Sequence, residues 1–375
     1  METIREELVA KMVQGEQTIS ELCREYRISR PTAYKWLERY KSGGGFSDKS
    51  HEPLFKPNKT SAEQEEIILT TRLEHPTWGA RKLRRYLTDK GIYELPAAST
   101  ISDILKRNGC ISPEDSEAHT PYIHFEKEKP NELWQMDFKG HFKMLNNERC
   151  HPLTILDDHS RFSLCVDAKE NECWDGVNSS LIRVFNEYGL PRAILADNGH
   201  PWRQSMDGYT YYDVWMMQID ILPIHGRPMH PQTQGKEERF HRTLKDDLLN
   251  RKVIENIHHA QNEFDLFRYV YNFERPHNAL KLDTPAKHYH ESSIAMPERI
   301  KEPIYDESRR LRKVNCKGYI SINKDKYYLS ESFSGKYLEL LDEPQDCISL
   351  CYGNFKIAKI DLNERLFISR KIYRR

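Results

Sequence analysis

No stretch of this 375-residue chain holds the roughly 18 consecutive apolar residues that a membrane helix needs, and the opening METIREELVAKM lacks the apolar centre of a secretory signal. A membrane protein is therefore not expected; a cytoplasmic one is, nucleoid-associated if the source is prokaryotic. Cysteine is sparse and scattered. The eight, at 23, 110, 150, 165, 173, 316, 347 and 351, show no paired metal-ligand spacing, which argues for reduced thiols rather than a zinc site or disulfide framework. Net charge is also missing, since 57 Lys and Arg balance 57 Asp and Glu. The balance is nevertheless local: residues 1–110 hold 19 Lys and Arg against 16 Asp and Glu, residues 111–300 hold 22 against 30, and residues 301–375 hold 16 against 11. Basic flanks around an acidic centre suit ends that grip phosphates and a middle that gathers carboxylates for metal ions.

What is present is organised around His230–Leu249, HPQTQGKEERFHRTLKDDLL. A Gly-containing loop runs into an amphipathic helix, with Gln234, Glu238, Arg242 and Lys245 on one polar face and Phe240, Leu244 and Leu248 opposite. Two earlier segments add acids. In Trp134-Gln135-Met136-Asp137-Phe138, alternation predicts a strand with Asp137 on the face away from Trp134, Met136 and Phe138. In Ala193-Ile194-Leu195-Ala196-Asp197-Asn198-Gly199, a short apolar run ends in Asp-Asn-Gly, which places Asp197 at the carboxyl end of a buried strand, where α/β sheets put their chemistry.

These three segments, WQMDF, LADNG and HPQTQGKEERFHRTLK, resemble the Asp, Asp and Glu motifs of DDE transposases and retroviral-type integrases, in the insertion-sequence branch of that superfamily. The resemblance implies an RNase H-like α/β catalytic core, with Asp137, Asp197 and Glu238 at the positions of its metal ligands. It also implies an active transposase: metal-dependent cleavage at transposon ends, then strand transfer of a 3′-hydroxyl into target DNA. Two Mg²⁺ ions are implied as cofactors, with Mn²⁺ able to substitute; Asp137 would bridge them and Asp197 and Glu238 would each complete one site. Glu237 competes for the third position. Glu238 is preferred because the matching motif has its Glu directly before Arg, and because Glu237 falls on the side of the helix that carries Leu244. The His-His-Cys-Cys zinc module of retroviral integrases is absent from the sequence. Asp157 and Asp158, in the turn after a strand, are assigned to turn chemistry.

The rest of the chain reads as modules, a multidomain α+β protein. Residues 1–45 predict a helix-turn-helix DNA-binding domain: Thr18-Ile19-Ser20-Glu21 is a capping box, Ser29 and Pro31 start a third helix, and Arg30, Thr32, Lys35 and Arg39 would face DNA. Residues 60–110 predict a second, with Arg81, Lys82, Arg84, Arg85, Lys106 and Arg107 toward phosphates. The catalytic core is expected over 125–295, where Gln234, Lys236, Arg239 and Arg242 are further candidate DNA contacts. Over 312–375, five short strands suggest a small β-barrel. The expected partners are double-stranded DNA, as terminal repeats and target, and a second copy of the chain, because pairing two DNA ends needs at least a dimer. The competing reading is a sequence-specific DNA-binding regulator with an inactive core.

Overall fold

The computed structural model describes residues 2–48, 60–111, 127–197, 199, 202, 208–226 and 235–375, and divides into two units, Met1–Thr60 and Ser61–Arg375. The first unit is made of α1 (Glu2–Gln14), α2 (Ile19–Glu25) and α3 (Arg30–Lys41). The Thr18 N–H donates to Glu21 Oε2 at 2.9 Å and the Glu21 N–H returns to Thr18 Oγ1 at 3.4 Å, the reciprocal cap that the sequence predicts. Ser29 caps α3, and Pro31 sits in its first turn, where a missing N–H costs nothing. Leu8, Val9, Leu22, Cys23, Ala33 and Trp36 form the small core. Arg5 lies 4.2 Å over the Trp36 ring and Arg39 5.2 Å from it, so the exposed edge of this core is covered by cations.

The second unit begins with α4 (Ala62–Glu74), α5 (Ala80–Asp89) and α6 (Ala98–Arg107), packed around Ile68, Trp78, Leu83, Leu87, Ile101, Ile104 and Leu105. Polar contacts tie these helices to the later part of the same unit. Arg85 pairs with Asp283 at 2.8 Å, Lys90 with Glu274 at 3.3 Å, and the Thr77 hydroxyl with Asp247.

The central sheet is built from β1 (Trp134–Phe138), β2 (Phe142–Lys143), β3 (Arg149–Asp157) and β4 (Ser163–Lys169), then α7 (Trp174–Tyr188), β5 (Ala193–Ala196), α8 (Tyr211–Gln218) and β6 (Leu222–His225). Antiparallel pairings join β4 to β3 and β3 to β1; parallel pairings join β1 to β5 and β5 to β6. One face packs on α7 and α8 through Trp134, Met136, Leu153, Ile155, Ile194 and Phe185. The other face meets α9 (Gly235–Leu244) and α10 (Ile257–Tyr269) through Leu156, Val166, Phe240, Leu244 and Phe264. Period-2 strands between two apolar helical stripes produce these three layers.

The C-terminal strands are β7 (Leu311–Lys313), β8 (Tyr319–Ile322), β9 (Asp325–Tyr328), β10 (Tyr337–Glu343), β11 (Cys347–Tyr352), β12 (Phe355–Asp361), β13 (Leu366–Ser369) and β14 (Tyr373–Arg374). The five strands read from the sequence are all here, but the expected barrel is not closed. Among the described residues the sheet runs β13-β12-β11-β10-β7, with β14 beside β12, while β8 and β9 form a separate hairpin. The apolar face is covered another way: Tyr209, Val214 and Met217, at and within α8, enter the same core as Leu338, Leu350 and Ile357. An outside helix satisfies the sheet, so its edges need not meet.

Candidate active site

Alternation along β1 buries Trp134 and Met136 against α7 and turns Asp137 toward α9, where its Oδ2 lies 3.9 Å from His241 Nδ1. In the parallel register Met136 stands beside Ala196, so the next residues of the two strands, Asp137 and Asp197, emerge side by side at the carboxyl ends of β1 and β5. Asp137 is largely buried. That burial, then the charge of Asp197, with Glu172 and Glu238 adding to it, pushes its carboxyl up to about 7.

Asp197 is held by its own turn. The Gly199 N–H donates to Asp197 Oδ1 at 2.8 Å, and a Cβ at position 199 would stand 2.8 Å from Asp197 Oδ2. Only glycine leaves room for the carboxylate to fold back over the backbone. From the neighbouring strand, the Gly226 N–H donates to the Ala196 carbonyl at 2.9 Å. His225 lies beside the Asp197 carbonyl at 3.5 Å, with its other ring nitrogen 2.6 Å from the buried Asp213.

The helix α9 separates its two adjacent acids. Glu237 faces inward at 1% exposure, with Oε2 accepting from the Thr154 hydroxyl at 3.1 Å and Oε1 lacking a hydrogen-bond partner among the described residues. Burial, then the nearby Asp137, raises its carboxyl well above the usual range. Glu238 is exposed, as are Arg239 and Arg242. The donor set of Asp137, Asp197 and Glu238 is chemically suited to a hard divalent cation: oxygen ligands only, mutually repelling, one of them strongly so. Among the described residues, however, no three His, Cys, Asp or Glu side chains already stand close enough to share one ion.

The structure distributes the expected DNA contacts unevenly. Arg30 and Lys35 are exposed on α3, with Thr32 and Arg39 half-buried; on α5, Arg81 and Arg84 are exposed, with Lys82 and Arg85 half-buried. Burial, then Arg275, lowers the Lys82 ammonium to about 7. Lys106 is exposed, and Arg107 is paired with Glu65. Gln234 lies outside the described residues. Lys236 needs correction: it points inward, its ammonium 2.6 Å from Asp158 Oδ1, with the lysine side chain 8% exposed and the aspartate fully buried. The turn acids are both spent inside the protein. Asp157 accepts from Ser160 and Asn131, and Asp158 from Gln135 and the Lys127 backbone as well as Lys236.

Several residues at the centre escaped the sequence reading. Thr154 occupies the strand position opposite Asp137, and its hydroxyl lies 2.8 Å from His241 Nε2. His151 and Glu172 pair at 2.8 Å close to Asp137. The available signal was weak: His241 falls one turn after Glu237, and Thr154 interrupts an apolar strand.

Comparison with known proteins adds the domains that the chain matches. Integrase core domain models match residues 127–231 and 219–285, a homeodomain-like model matches 32–105, and a helix-turn-helix model matches 4–52. A putative transposase for insertion sequence element IS5376 of Geobacillus stearothermophilus is 22% identical over 96% of this chain and 88% of its own length. The chain carries an integrase core domain behind helix-turn-helix segments, and over nearly its whole length it is similar to an insertion-sequence transposase. The chain is also 26% identical to an uncharacterized 31.7 kDa protein of insertion element IS407 from Burkholderia multivorans, over 42% of this chain and 55% of that one. Against the Gag-Pro-Pol polyprotein of squirrel monkey retrovirus it is 34% identical over 32% of this chain. The chain spans only 6% of that polyprotein and about half of the IS407 protein.

Proposed function

We propose that this chain is a DNA transposase that cuts at the ends of its element, frees a 3′-hydroxyl and joins it to a target strand. The observation that supports the reading best is an integrase core in which Asp137 and the residue after β5, Asp197, emerge side by side, with burial, then Asp197, pushing the Asp137 carboxyl up to about 7 and Glu238 adding to it. Such carboxylates would hold two Mg²⁺ ions, with Mn²⁺ able to replace them; Asp137 would serve both, and Asp197 and Glu238 one each. When bound, the ions supply an acidified water or hydroxyl and offset negative charge on the phosphate.

The remaining work falls to the chain. Arg239 and Arg242, exposed beside Glu238, would hold the phosphates that flank the scissile one, a task for which no acid pairs with them among the described residues. Gly199 keeps the Asp197 carboxylate folded against its backbone, and the buried Glu237 leaves Glu238 to face the substrate. The helix-turn-helix segments at 1–45 and 60–110 would recognise the terminal repeats, and the core at 125–295 would perform the chemistry. The basic C-terminal segment, 312–375, would add DNA contacts from its small sheet. Two copies at least would pair the ends, in the cytoplasm or on the nucleoid; no helix among the described residues is long and apolar enough to cross a membrane. A regulator with a dead core would have no need for all three acids, which weighs against that alternative.

The test is to incubate the purified chain with Mg²⁺, labelled duplexes of the element ends and a target plasmid. Joined products are expected from the wild type and from Glu237→Gln, and none from Glu238→Gln. Specific binding of the ends without cutting or joining would replace the transposase with the regulator.

A further inference from the structure

We propose that Thr154 is a positioning residue that ties Asp137 on β1 to Glu237 and His241 on α9, and thereby sets where the first acid stands relative to the third. The inference rests on the reading of Asp137 and Glu238 as metal ligands. Its basis is geometric. The Thr154 side chain is completely buried, directly across the ladder from Asp137, and its hydroxyl lies 3.1 Å from the Asp137 carbonyl, 3.1 Å from Glu237 Oε2 and 2.8 Å from His241 Nε2. The one hydroxyl proton lies between two acceptors, the Asp137 carbonyl and Glu237 Oε2, and the same oxygen is in hydrogen-bond contact with His241 Nε2, so a single group joins two elements.

The tie matters because Asp137 and Glu238 come from different elements. Asp137 is fixed by the sheet. Glu238 depends on the rotation and height of α9, and from that helix Glu237 and His241 make polar contacts with Thr154 of β3. His241 reaches further, with Nδ1 3.9 Å from the Asp137 carboxylate, so the ring lies between the hydroxyl and the acid. Removing the Thr154 hydroxyl would take from Glu237 Oε2 its hydrogen bond from Thr154 in a dry site, where Oε1 already lacks a partner among the described residues, and would free His241 Nε2 of its contact there. Valine has threonine's shape without the hydroxyl, and serine has the hydroxyl without the methyl. The two substitutions therefore separate packing from hydrogen bonding.

The experiment compares full-length wild type, Thr154→Val, Thr154→Ser and His241→Leu. Mn²⁺ binding is measured by titration calorimetry in the absence of DNA, and end cleavage by kcat and KM. Thr154→Val is expected to weaken Mn²⁺ binding and lower kcat by about tenfold each, with KM for the DNA ends unchanged, because a misplacement on the order of 1 Å costs up to ~100-fold. Thr154→Ser should restore both within about threefold. If Thr154→Val does not fold, His241→Leu, at a partly exposed position, carries the test with the same expected losses. Wild-type Mn²⁺ affinity and kcat in the folded variant, or a serine variant as impaired as valine, overturns the proposal. Asp137→Asn serves as the separate control: Mn²⁺ binding undiminished there would defeat the metal-centre reading itself, whatever Thr154 does.

Discussion

Asp137 carries a proton into conditions where an ordinary aspartate has lost it, because burial and the facing Asp197 both oppose its charge. The folded chain therefore binds this proton more tightly than the unfolded chain, whose carboxyl titrates near ~4. Stability from this residue is greatest below that value, declines as pH rises toward about 7 and is level beyond it. In chelator, Asp137→Asn should gain on wild type across that window, by on the order of 2 kcal/mol at pH 8, a figure discounted for the carboxylate's partial exposure. Adding Mg²⁺ at pH 8 should raise the melting temperature of wild type and not of the variant. Parallel melting curves for the two proteins from pH 5 to pH 8 would contradict the assignment.

Single elements explain which parts of the site could be read in advance. Alternation around Asp137 and the Asp-Asn-Gly stop after β5 are local patterns: Asp137 lies within β1, on the face away from Trp134 and Met136, and Asp197 directly follows β5. The inward side of α9 was legible from the apolar stripe of Phe240, Leu244 and Leu248, which Glu237 joins. Lys236 was not legible. In the sequence it is one more cation in a basic helix, and its partner Asp158 lies 78 positions away, in a turn whose acids have ample local work. Thr154 failed for the same reason, since only the ladder register and the packing of α9 on β3 bring its hydroxyl to Glu237 and His241. The barrel was over-read because strand periodicity says nothing about closure; α8 covers the face instead. At this scale Asp158→Ala should be costly, since it strands the Lys236 ammonium in a nearly dry site. A loss of roughly 3 kcal/mol is expected in urea denaturation, against a much smaller loss for the double variant Asp158→Ala with Lys236→Met. Equal losses in the two proteins would show that the ion pair does not hold α9.

Across the second unit, the C-terminal sheet and the integrase core share one hydrophobic cluster. The Tyr209 hydroxyl donates to the Ile357 carbonyl, Ser330 donates to the Tyr209 carbonyl at 2.6 Å, and Arg374 pairs with Asp220 at 2.8 Å. Ending the chain after residue 300 would leave Tyr209, Val214 and Met217 facing water. The shortened protein is expected to associate or precipitate, measured as lost monodispersity by size-exclusion chromatography with light scattering. A monodisperse, cooperatively melting fragment would mean that the shared cluster contributes little.

The three acids arrive far apart along the chain, and synthesis delivers them in order. Residues 2–48 and 60–111, with their capped helices, precede Asp137, and Glu238 comes 101 positions after Asp137. At ~5–20 residues per second, the separate first unit, α1 to α3, is out for many seconds before α9 leaves the ribosome, whereas α4 to α6 wait for partners such as Asp283 that follow α9. On the proposed function, a nascent chain would hold DNA before it could cut it.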